Sequence, residues 1–302
     1  MIEIARAISP WKLRTRTLEL GRRTLVCGVV NITPDSFSDG GAFLDPVAAV
    51  AHALRLLDEG ADLLDLGAES TRPGSRAGGS LEPEVSAEEE QARLLPVLEG
   101  ILAARPQAVI SVDTYKAATA RAALTAGAET INDVSGFTWD AGLADVCAEF
   151  GCGVVLMHTR GRPDEWRVQQ KLEPDALLEM VRAGLAASLK TATQAGIALD
   201  SVVLDPGYGF GKKYDENFSL LARQAELLNL RRPLLVGVSR KSFLGHALAL
   251  LDGGEQAPVE ARETASIAAM VTAILHGASI VRVHEVSPAV EAARIADAVL
   301  AG

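Results

Sequence analysis

Amide and carboxylate side chains stand at the ends of several short apolar runs in this 302-residue sequence. These positions are Asn31, Asp65, Asp113, Asn132 and Asp205. Asp113, Asn132 and Asp205 would together present two carboxylates and an amide to one cavity. Such a group suits a planar ring that carries several N–H donors, because a buried donor left unpaired costs about 1–3 kcal/mol. We therefore expect these three side chains to bind a ring of that kind.

Two of the carboxylates also have plainer explanations. Asp113 could cap a helix that begins near Tyr115, and Asp205 could start a turn with Pro206. The glycines of DPGYGFGKK resemble a dinucleotide-binding fingerprint, but they are spaced GxGxG and no helix opens directly after them. We reject that motif, and the alternatives for the two carboxylates stay open.

A second group of side chains is cationic. The motifs STRPGS, SRKS and RVHE place Arg72, Lys241, Arg282 and His284 after different apolar runs. Guanidinium and imidazole groups suit phosphate oxygens, and positive charge focused at one rim would recruit an anion. Arg282 and His284 alternate within an apolar run and should face the same side, whereas Arg72 alone could be a solvated surface charge. His158 is more typical of a packed or surface histidine than of a ligand.

The sequence offers little support for zinc or for covalent catalysis. Asn31 could ligate Mg²⁺, which prefers oxygen ligands and keeps several waters when it bridges to phosphate, but no His/Cys cluster points to zinc. There is no GxSxG motif, and Cys27, Cys147 and Cys152 form no CxxC pair. We expect buried, unreactive thiols in a reducing compartment. The site is suited to binding, orientation and stabilisation of a leaving group.

These residues are positioned by an alternation of short apolar runs with longer Ala- and Leu-rich segments. The runs are 24–32, 62–68, 108–114, 130–136, 153–159, 201–207, 233–239 and 279–286. They are nearly continuous in apolar character, as parallel strands buried on both faces are. Segments of helical spacing follow them, and 72–86 and 250–260 are predicted as long loops. We predict a single-domain (β/α)8 TIM barrel over 1–302, with 1–23 as a β extension covering its bottom; an open doubly wound sheet is the alternative.

Composition narrows the range of partners. The net charge of −10 and sequence pI of about 5.1 argue against nucleic acid or an anionic membrane as the main partner. No run approaches the roughly 18 apolar residues of a membrane span, and the N-terminus lacks the apolar core of a signal peptide. We expect a cytoplasmic protein that acts on small molecules.

Seven motifs in order along the chain resemble those of the dihydropteroate synthase family of folate biosynthesis. They are NITPDSFSDGG, DLGAESTRPGS, SVDTYKA, INDVSG, DPGYGFGK, GVSRKSFLG and RVHEV. The resemblance implies a Mg²⁺-dependent transferase. The family condenses 6-hydroxymethyl-7,8-dihydropterin pyrophosphate with 4-aminobenzoate and releases pyrophosphate, and sulfonamide drugs mimic the aminobenzoate. The motifs do not tell whether this chain is sensitive to those drugs.

The resemblance also implies a role for each motif residue. The pterin would be held by Asp113, Asn132, Met157, Asp205 and Lys241. The pyrophosphate would be held by Asn31 (also through the metal), Thr71, Arg72, Arg282 and His284. The aminobenzoate would contact Phe37, Pro73, Lys241 and Ser242. The catalytic residues would be Asp35, Lys241, Arg282 and His284. Loops 31–41 and 70–75 would close over the bound pterin and exclude water, and Asp35 would favour positive charge on the pterin methylene.

Departures from the family pattern are mild. Glu285 replaces the commoner Asp, GAES replaces GGES, and the charged segment 158–167 leaves that wall of the pocket uncertain. Two alternatives share the pterin-binding residues: a methyltransferase domain that uses a methylated folate, and a non-catalytic pterin-binding protein. Neither would need TPDSFSDGG, STRPGS and SRKS together. The Ala-rich segments 266–275 and 288–302 could form the face of a homodimer, or simply pack on the barrel.

Overall fold

In the computed structural model, residues 6–33, 45–70, 85–252, 254 and 256–302 are described. The strands are β1 (Ser9–Lys12), β2 (Thr17–Leu20), β3 (Leu25–Asn31), β4 (Leu63–Gly67), β5 (Ile110–Asp113), β6 (Thr130–Asp133), β7 (Gly153–Met157), β8 (Val202–Asp205), β9 (Leu234–Val236) and β10 (Ala278–Val283). The α-helices are α1 (Pro46–Asp58), α2 (Ala87–Ala104), α3 (Ala117–Ala126), α4 (Leu143–Phe150), α5 (Pro174–Gln194), α6 (Tyr214–Ala222), α7 (Ser242–Asp252), α8 (Glu263–Leu275) and α9 (Val286–Ala301).

Strands β3 to β10 form a closed barrel of eight parallel strands, in which β10 pairs with both β3 and β9. This confirms the predicted (β/α)8 barrel and excludes the open sheet. The strands are buried almost throughout, because the helices cover the outside and side chains fill the inside. Each of the eight predicted runs matches one barrel strand, and only β10 begins outside its run, by one residue.

Residues before the barrel form an antiparallel hairpin of β1 and β2. Trp11, fully buried, and Leu20 pack against the residues at the lower ends of the barrel strands, among them Leu25 and Leu63. The indole Nε1 of Trp11 donates a hydrogen bond to the carbonyl of Ser201, 3.0 Å away. The N-terminal β extension therefore covers the bottom of the barrel, as predicted.

Local signals explain where several helices begin. Asp45 caps α1 by accepting from the Val47 N–H at 2.9 Å, and the hydroxyl of Ser86 caps α2 by accepting from the Glu89 N–H at 3.1 Å.

The prediction of a loop over 250–260 is partly wrong, since α7 continues to Asp252 and a 3₁₀ turn occupies Val259–Arg262. Within the described residues, no helix is both long and apolar enough to cross a membrane.

Candidate active site

The predicted binding residues meet at the carboxyl end of the barrel. Asn31, Asp113, Met157 and Asp205 are the last residues of β3, β5, β7 and β8. Asn132 lies one residue before the end of β6. Arg282 lies in β10, and His284 follows that strand. Because all eight strands are parallel, these ends open on one mouth.

An ion-paired network crosses the inside of this mouth. The Nε of Arg282 donates to Asp65 Oδ2 at 2.6 Å, and its Nη2 donates to Asp113 Oδ2 at 3.0 Å. Asn132 Nδ2 donates to the same oxygen of Asp65 at 2.9 Å. The side chain of Asp65 is only 1% exposed, whereas those of Arg282 and Asp113 keep about 20% exposure. Two carboxylates therefore orient the guanidinium that was predicted to bind pyrophosphate.

Asp65 has no role in the predicted site, although it stands among the polar strand ends. Its signal in the sequence is a carboxylate inside LLDLG, a strand that is otherwise apolar and glycine. A buried carboxylate requires a cationic or hydrogen-bonding partner. The sequence does not say which cation that is, because Arg282 lies 217 residues away along the chain.

Burial sets the electrostatics of the two predicted pterin acceptors. It raises the pKa of Asp113 to about 7, although the charge of Arg282 opposes the shift. It also raises the pKa of Asp205 to about 6, against the hydrogen bond from the Gly207 N–H and the charge of Lys241. Burial lowers the pKa of Arg282, but the carboxylates of Asp65 and Asp113 outweigh it, and the net shift is upward. The guanidinium stays charged while the two acceptors titrate near neutrality.

The two plainer explanations of the carboxylates have different outcomes. Helix α3 begins at Ala117, whose N–H donates to Asp140 at 2.8 Å, so Asp113 does not cap that helix. Asp205 does form the turn suggested by Asp-Pro, because its Oδ1 accepts from the Gly207 N–H at 2.7 Å. The turn therefore holds the carboxylate in the mouth, and the two explanations of Asp205 are compatible.

Lys241 and Ser242 lie on a tight turn between β9 and α7. The Lys241 Nζ lies 4.0 Å from the ring centroid of Phe210, a cation–π contact. Arg240 adopts a left-handed conformation with φ of 59°, and Arg262 Nη1 donates to its carbonyl at 2.9 Å. Ser242 is the first residue of α7. Phe210 belongs to the motif DPGYGFGK but was not among the predicted site residues.

His284 is held by Ser239, which follows the adjacent strand β9. Its Nδ1 lies 3.0 Å from the hydroxyl of Ser239, which also accepts from the His284 N–H at 3.3 Å. Arg282, two residues earlier, points to Asp65 and Asp113 inside the barrel. The alternation along β10 therefore brings a cation and an imidazole to the same mouth, each oriented by a polar partner.

An apolar wall lies beside the polar network. Met157 packs with Tyr115, Val134 and Phe210, and the ring of Trp166 meets Phe210 edge-on at a centroid distance of 5.2 Å. Trp166 belongs to the segment 158–167, so that unusual loop contributes an aromatic support to the site. A planar ring between the carboxylates and this wall would have acceptors at its edge and apolar contact on its face.

The histidine and the cysteines behave as predicted. His158 is buried against α5 near Gly184, and burial holds its pKa well below its usual value. It is a packed residue. Cys27, Cys147 and Cys152 are buried and free of disulfides, and burial raises the pKa of the Cys27 thiol well above its usual value, which favours the unreactive thiol form.

Five predicted residues lie outside the described residues. They are Asp35, Phe37, Thr71, Arg72 and Pro73. Their assigned roles stay predictions from the sequence.

Asn31 offers one side-chain oxygen of the kind that Mg²⁺ accepts. Within the described ranges, no group of three or more His, Cys, Asp or Glu side chains could hold a metal ion. Asn31 offers a single neutral amide at the end of β3. Mg²⁺ is commonly held by one or two protein oxygens together with waters and substrate phosphates, so such a site would be completed by the substrate.

Comparison with known proteins connects this geometry with one family. The model of the family described as "Pterin binding enzyme" matches residues 27–284. The dihydropteroate synthase of Escherichia coli K12 is 43% identical over 275 residues, which cover 91% of each chain. That of Mycobacterium leprae is 43% identical over 273 residues, which cover 90% of this chain and 92% of the relative.

Solved structures agree with the sequence relatives. The Xanthomonas albilineans dihydropteroate synthase with 4-aminobenzoic acid matches with a TM-score of 0.84 at 40% identity, covering 98% of this chain and all of that one. The Yersinia pestis enzyme with a sulfonamide drug complex matches with a TM-score of 0.85 at 40% identity, covering 97% of this chain and all of that one.

Proposed function

This chain belongs to the pterin binding enzyme family as a dihydropteroate synthase, and we propose that its own site condenses 6-hydroxymethyl-7,8-dihydropterin pyrophosphate with 4-aminobenzoate. One observation carries the assignment of the site. A single barrel mouth holds the buried carboxylate of Asp205, the partly buried carboxylate of Asp113 and the amide of Asn132 for the pterin ring. Lys241 lies beside them, and Arg282 and His284 stand at the same mouth for the pyrophosphate. The products are 7,8-dihydropteroate and pyrophosphate.

The reaction exchanges one bond for another at the pterin methylene. The amine nitrogen of aminobenzoate forms a bond to the methylene carbon as the bond from that carbon to the pyrophosphate oxygen breaks. The electron pair leaves with pyrophosphate, and the amine gives up one proton. The protein must hold both reactants in line and stabilise the departing negative charge.

Each described side chain has a part in that task. Asp113 and Asp205 accept hydrogen bonds from ring N–H groups when ionised, and Asn132 can both donate and accept. Met157 packs on the ring. Arg282 and His284 bind the pyrophosphate and stabilise it as it leaves. Lys241 contacts the pterin and the aminobenzoate. Ser242, beside Lys241, binds the carboxylate of aminobenzoate. The turn before α7 therefore contacts both substrates.

Magnesium is part of the proposal. The amide oxygen of Asn31, at the end of β3, would be the protein ligand. When bound, the ion would neutralise charge on the pyrophosphate. The support for this choice is the preference of Mg²⁺ for oxygen ligands shared between protein, water and phosphate.

A homodimer in the cytoplasm is a further part of the proposal. Helix α9 exposes Ile295 and Val299 at 69% and 65%, and their four-residue spacing places them on one helix face. This supports the dimer face predicted in the last helices.

Three free cysteines support a reducing compartment. We also propose that a sulfonamide can bind at the aminobenzoate site, because such drugs mimic aminobenzoate.

The test is product formation by the purified protein. Protein, Mg²⁺ and the dihydropterin pyrophosphate are incubated with and without 4-aminobenzoate, and dihydropteroate and pyrophosphate are measured. We expect dihydropteroate only when aminobenzoate is present. Tight pterin binding without turnover would favour the methyltransferase or the binding-protein alternative.

A pair of variants tests the assignment of the site. Asp205→Asn removes the carboxylate at the end of β8 and should raise the KM for the pterin substrate about 5- to 150-fold, the equivalent of one hydrogen-bonding partner lost at a cost of about 1–3 kcal/mol. Asp175→Asn is the matched control, because that side chain is 94% exposed. Equal KM values in the two variants would contradict the placement of the pterin.

A further inference from the structure

Lys212 is a buried lysine to which the proposed reaction assigns no role. It is 7% exposed, and its Nζ lies within hydrogen-bonding distance of three backbone carbonyls. These belong to Gly207 at 2.7 Å, His158 at 3.2 Å and Phe210 at 3.3 Å. An ammonium has three N–H donors and no acceptor, so the charged form matches this set of partners.

The three carbonyls come from two different loops of the barrel mouth. His158 follows β7, and Gly207 and Phe210 follow β8. Gly207 has a φ of 69°, and a Cβ at that position would clash with the carbonyl oxygen of His158. The loops therefore meet backbone to backbone, with their carbonyl dipoles converging on one point. Carbonyl oxygens that face one another in this way repel each other unless a cation lies between them.

In the second loop Lys212 holds the carbonyls of Gly207 and Phe210, two residues that themselves contact residues of the pterin site. The N–H of Gly207 donates to Asp205 Oδ1 at 2.7 Å and so fixes one oxygen of that carboxylate. The ring of Phe210 lies 4.0 Å from the Lys241 Nζ. A shift of either peptide unit would therefore displace an acceptor for the pterin, or the aromatic surface next to the lysine.

We propose that Lys212 is a positioning residue for pterin binding, whose ammonium ties the loops after β7 and β8 together and thereby sets the positions of Asp205 and Phe210. This rests on the proposed function, which assigns the pterin to this mouth. Lys212 acts through backbone carbonyls and needs no contact with the substrate.

The ammonium of Lys212 titrates near neutrality. Burial lowers the pKa of Lys212 to about 7, Asp205 and Glu216 oppose the shift, and Lys241 and Arg160 add to it. His158 also faces the Nζ through its carbonyl, and burial holds the imidazole neutral. A neutral amine has two N–H donors for three acceptors. Pterin affinity should therefore weaken as the pH rises above about 7, opposite in direction to the titration of Asp205.

The neighbouring lysine provides a matched control. Lys213 Nζ donates to the carbonyl of Arg167 at 3.0 Å on the exposed side of the same loop. Lys212→Met, Lys212→Arg and Lys213→Met are compared by calorimetric titration with the pterin substrate and by steady-state kinetics between pH 6 and 9. Circular dichroism and thermal unfolding report the folded fraction.

We expect Lys212→Met to raise the Kd and the KM for the pterin by about tenfold or more, the scale of a lost hydrogen bond to a charged group. Lys212→Arg keeps a charge at all pH values and should remove the loss of affinity on the alkaline side. Lys213→Met should match the wild type. A purely structural role would reduce the amount of active protein and leave the pterin KM of the folded fraction unchanged.

Three results would overturn the proposal. These are a wild-type pterin Kd in folded Lys212→Met, an effect confined to melting temperature, or an alkaline loss of affinity that persists in Lys212→Arg. If Lys212→Met does not fold, the pH profile of Lys212→Arg decides. A wild-type protein that binds pterin but forms no dihydropteroate would refute the proposed function only, because the Kd comparison does not depend on turnover.

Discussion

Asp65 offers a prediction that depends on a single oxygen atom. Its Oδ2 accepts both from Asn132 Nδ2 at 2.9 Å and from Arg282 Nε at 2.6 Å. Its Oδ1 is buried and has no hydrogen-bond partner in the described part of the chain. Asp65→Asn can place its amide oxygen at the Oδ2 position and keep both contacts, whereas Asp65→Leu keeps neither.

The expected losses of stability differ accordingly. Removing one member of a buried ion pair costs about 3–5 kcal/mol, and Arg282 retains its bond to Asp113 at 3.0 Å, so we expect about 4 kcal/mol for Asp65→Leu. Asp65→Asn loses the charge and buries an amide NH2 where Oδ1 was, at about 1–2 kcal/mol. A loss of 1 kcal/mol lowers the melting temperature of a large single domain by about 2–4 °C. The melting temperature should therefore fall by about 8–16 °C for Asp65→Leu and by about 2–8 °C for Asp65→Asn.

Urea unfolding of the purified variants measures both values directly. Asp175→Leu, at a position whose side chain is 94% exposed, should stay within about 0.5 kcal/mol of the wild type. Equal losses for Asp65→Asn and Asp65→Leu would refute the claim that one oxygen carries both bonds. A Leu variant as stable as the wild type would show that the ion pair contributes nothing to holding the mouth together.

Three further expectations concern pH, the hairpin and the first loop. Burial raises the pKa of Asp113 to about 7, and protonation removes its negative charge and turns one of its oxygens into a donor. Pterin Kd, measured by calorimetry, should therefore rise as the pH falls through about 7. Asp113→Asn should flatten this part of the profile, and an unchanged slope would contradict the prediction. Trp11→Ala should lower the free energy of unfolding by about 3–5 kcal/mol without changing the pterin KM, since Trp11 is fully buried at the far end of the barrel. Asp35→Asn should lower kcat by about 10²-fold if the residue stabilises charge on the methylene, and near-normal turnover would exclude that role.

The position of most binding residues could be predicted from the sequence because the barrel is a repeat of one unit. Parallel strands must all end at the same rim, so Asn31, Asp113 and Asp205 lie at one rim whatever the details of packing. The same argument predicts Arg282 at that rim. Apolar runs, turn residues and helix caps are local signals, and they suffice to place the strand ends.

Pairing across the barrel could not be predicted in this way. Arg282 and Asp65 lie 217 residues apart in the chain and 2.6 Å apart in space. Their contact depends on the stagger of neighbouring strands and on which side chains point inward. A pattern along one strand does not specify the residue that it meets across the barrel, and a predicted phosphate ligand is in fact oriented by two carboxylates.

Lys212 and Lys213 show the division between sequence and tertiary structure most directly. They are identical neighbours in GFGKK, and nothing in the local sequence separates their roles. The glycines at 207, 209 and 211 adopt left-handed conformations, which only a residue without a Cβ adopts readily, and they fold the loop so that one lysine turns inward. Sequence alone determined the eight-stranded barrel and the rim at which the polar strand ends gather, because those follow from local periodicity. Tertiary structure decided which charges are buried together, because burial and charge pairing depend on contacts between segments far apart in the chain.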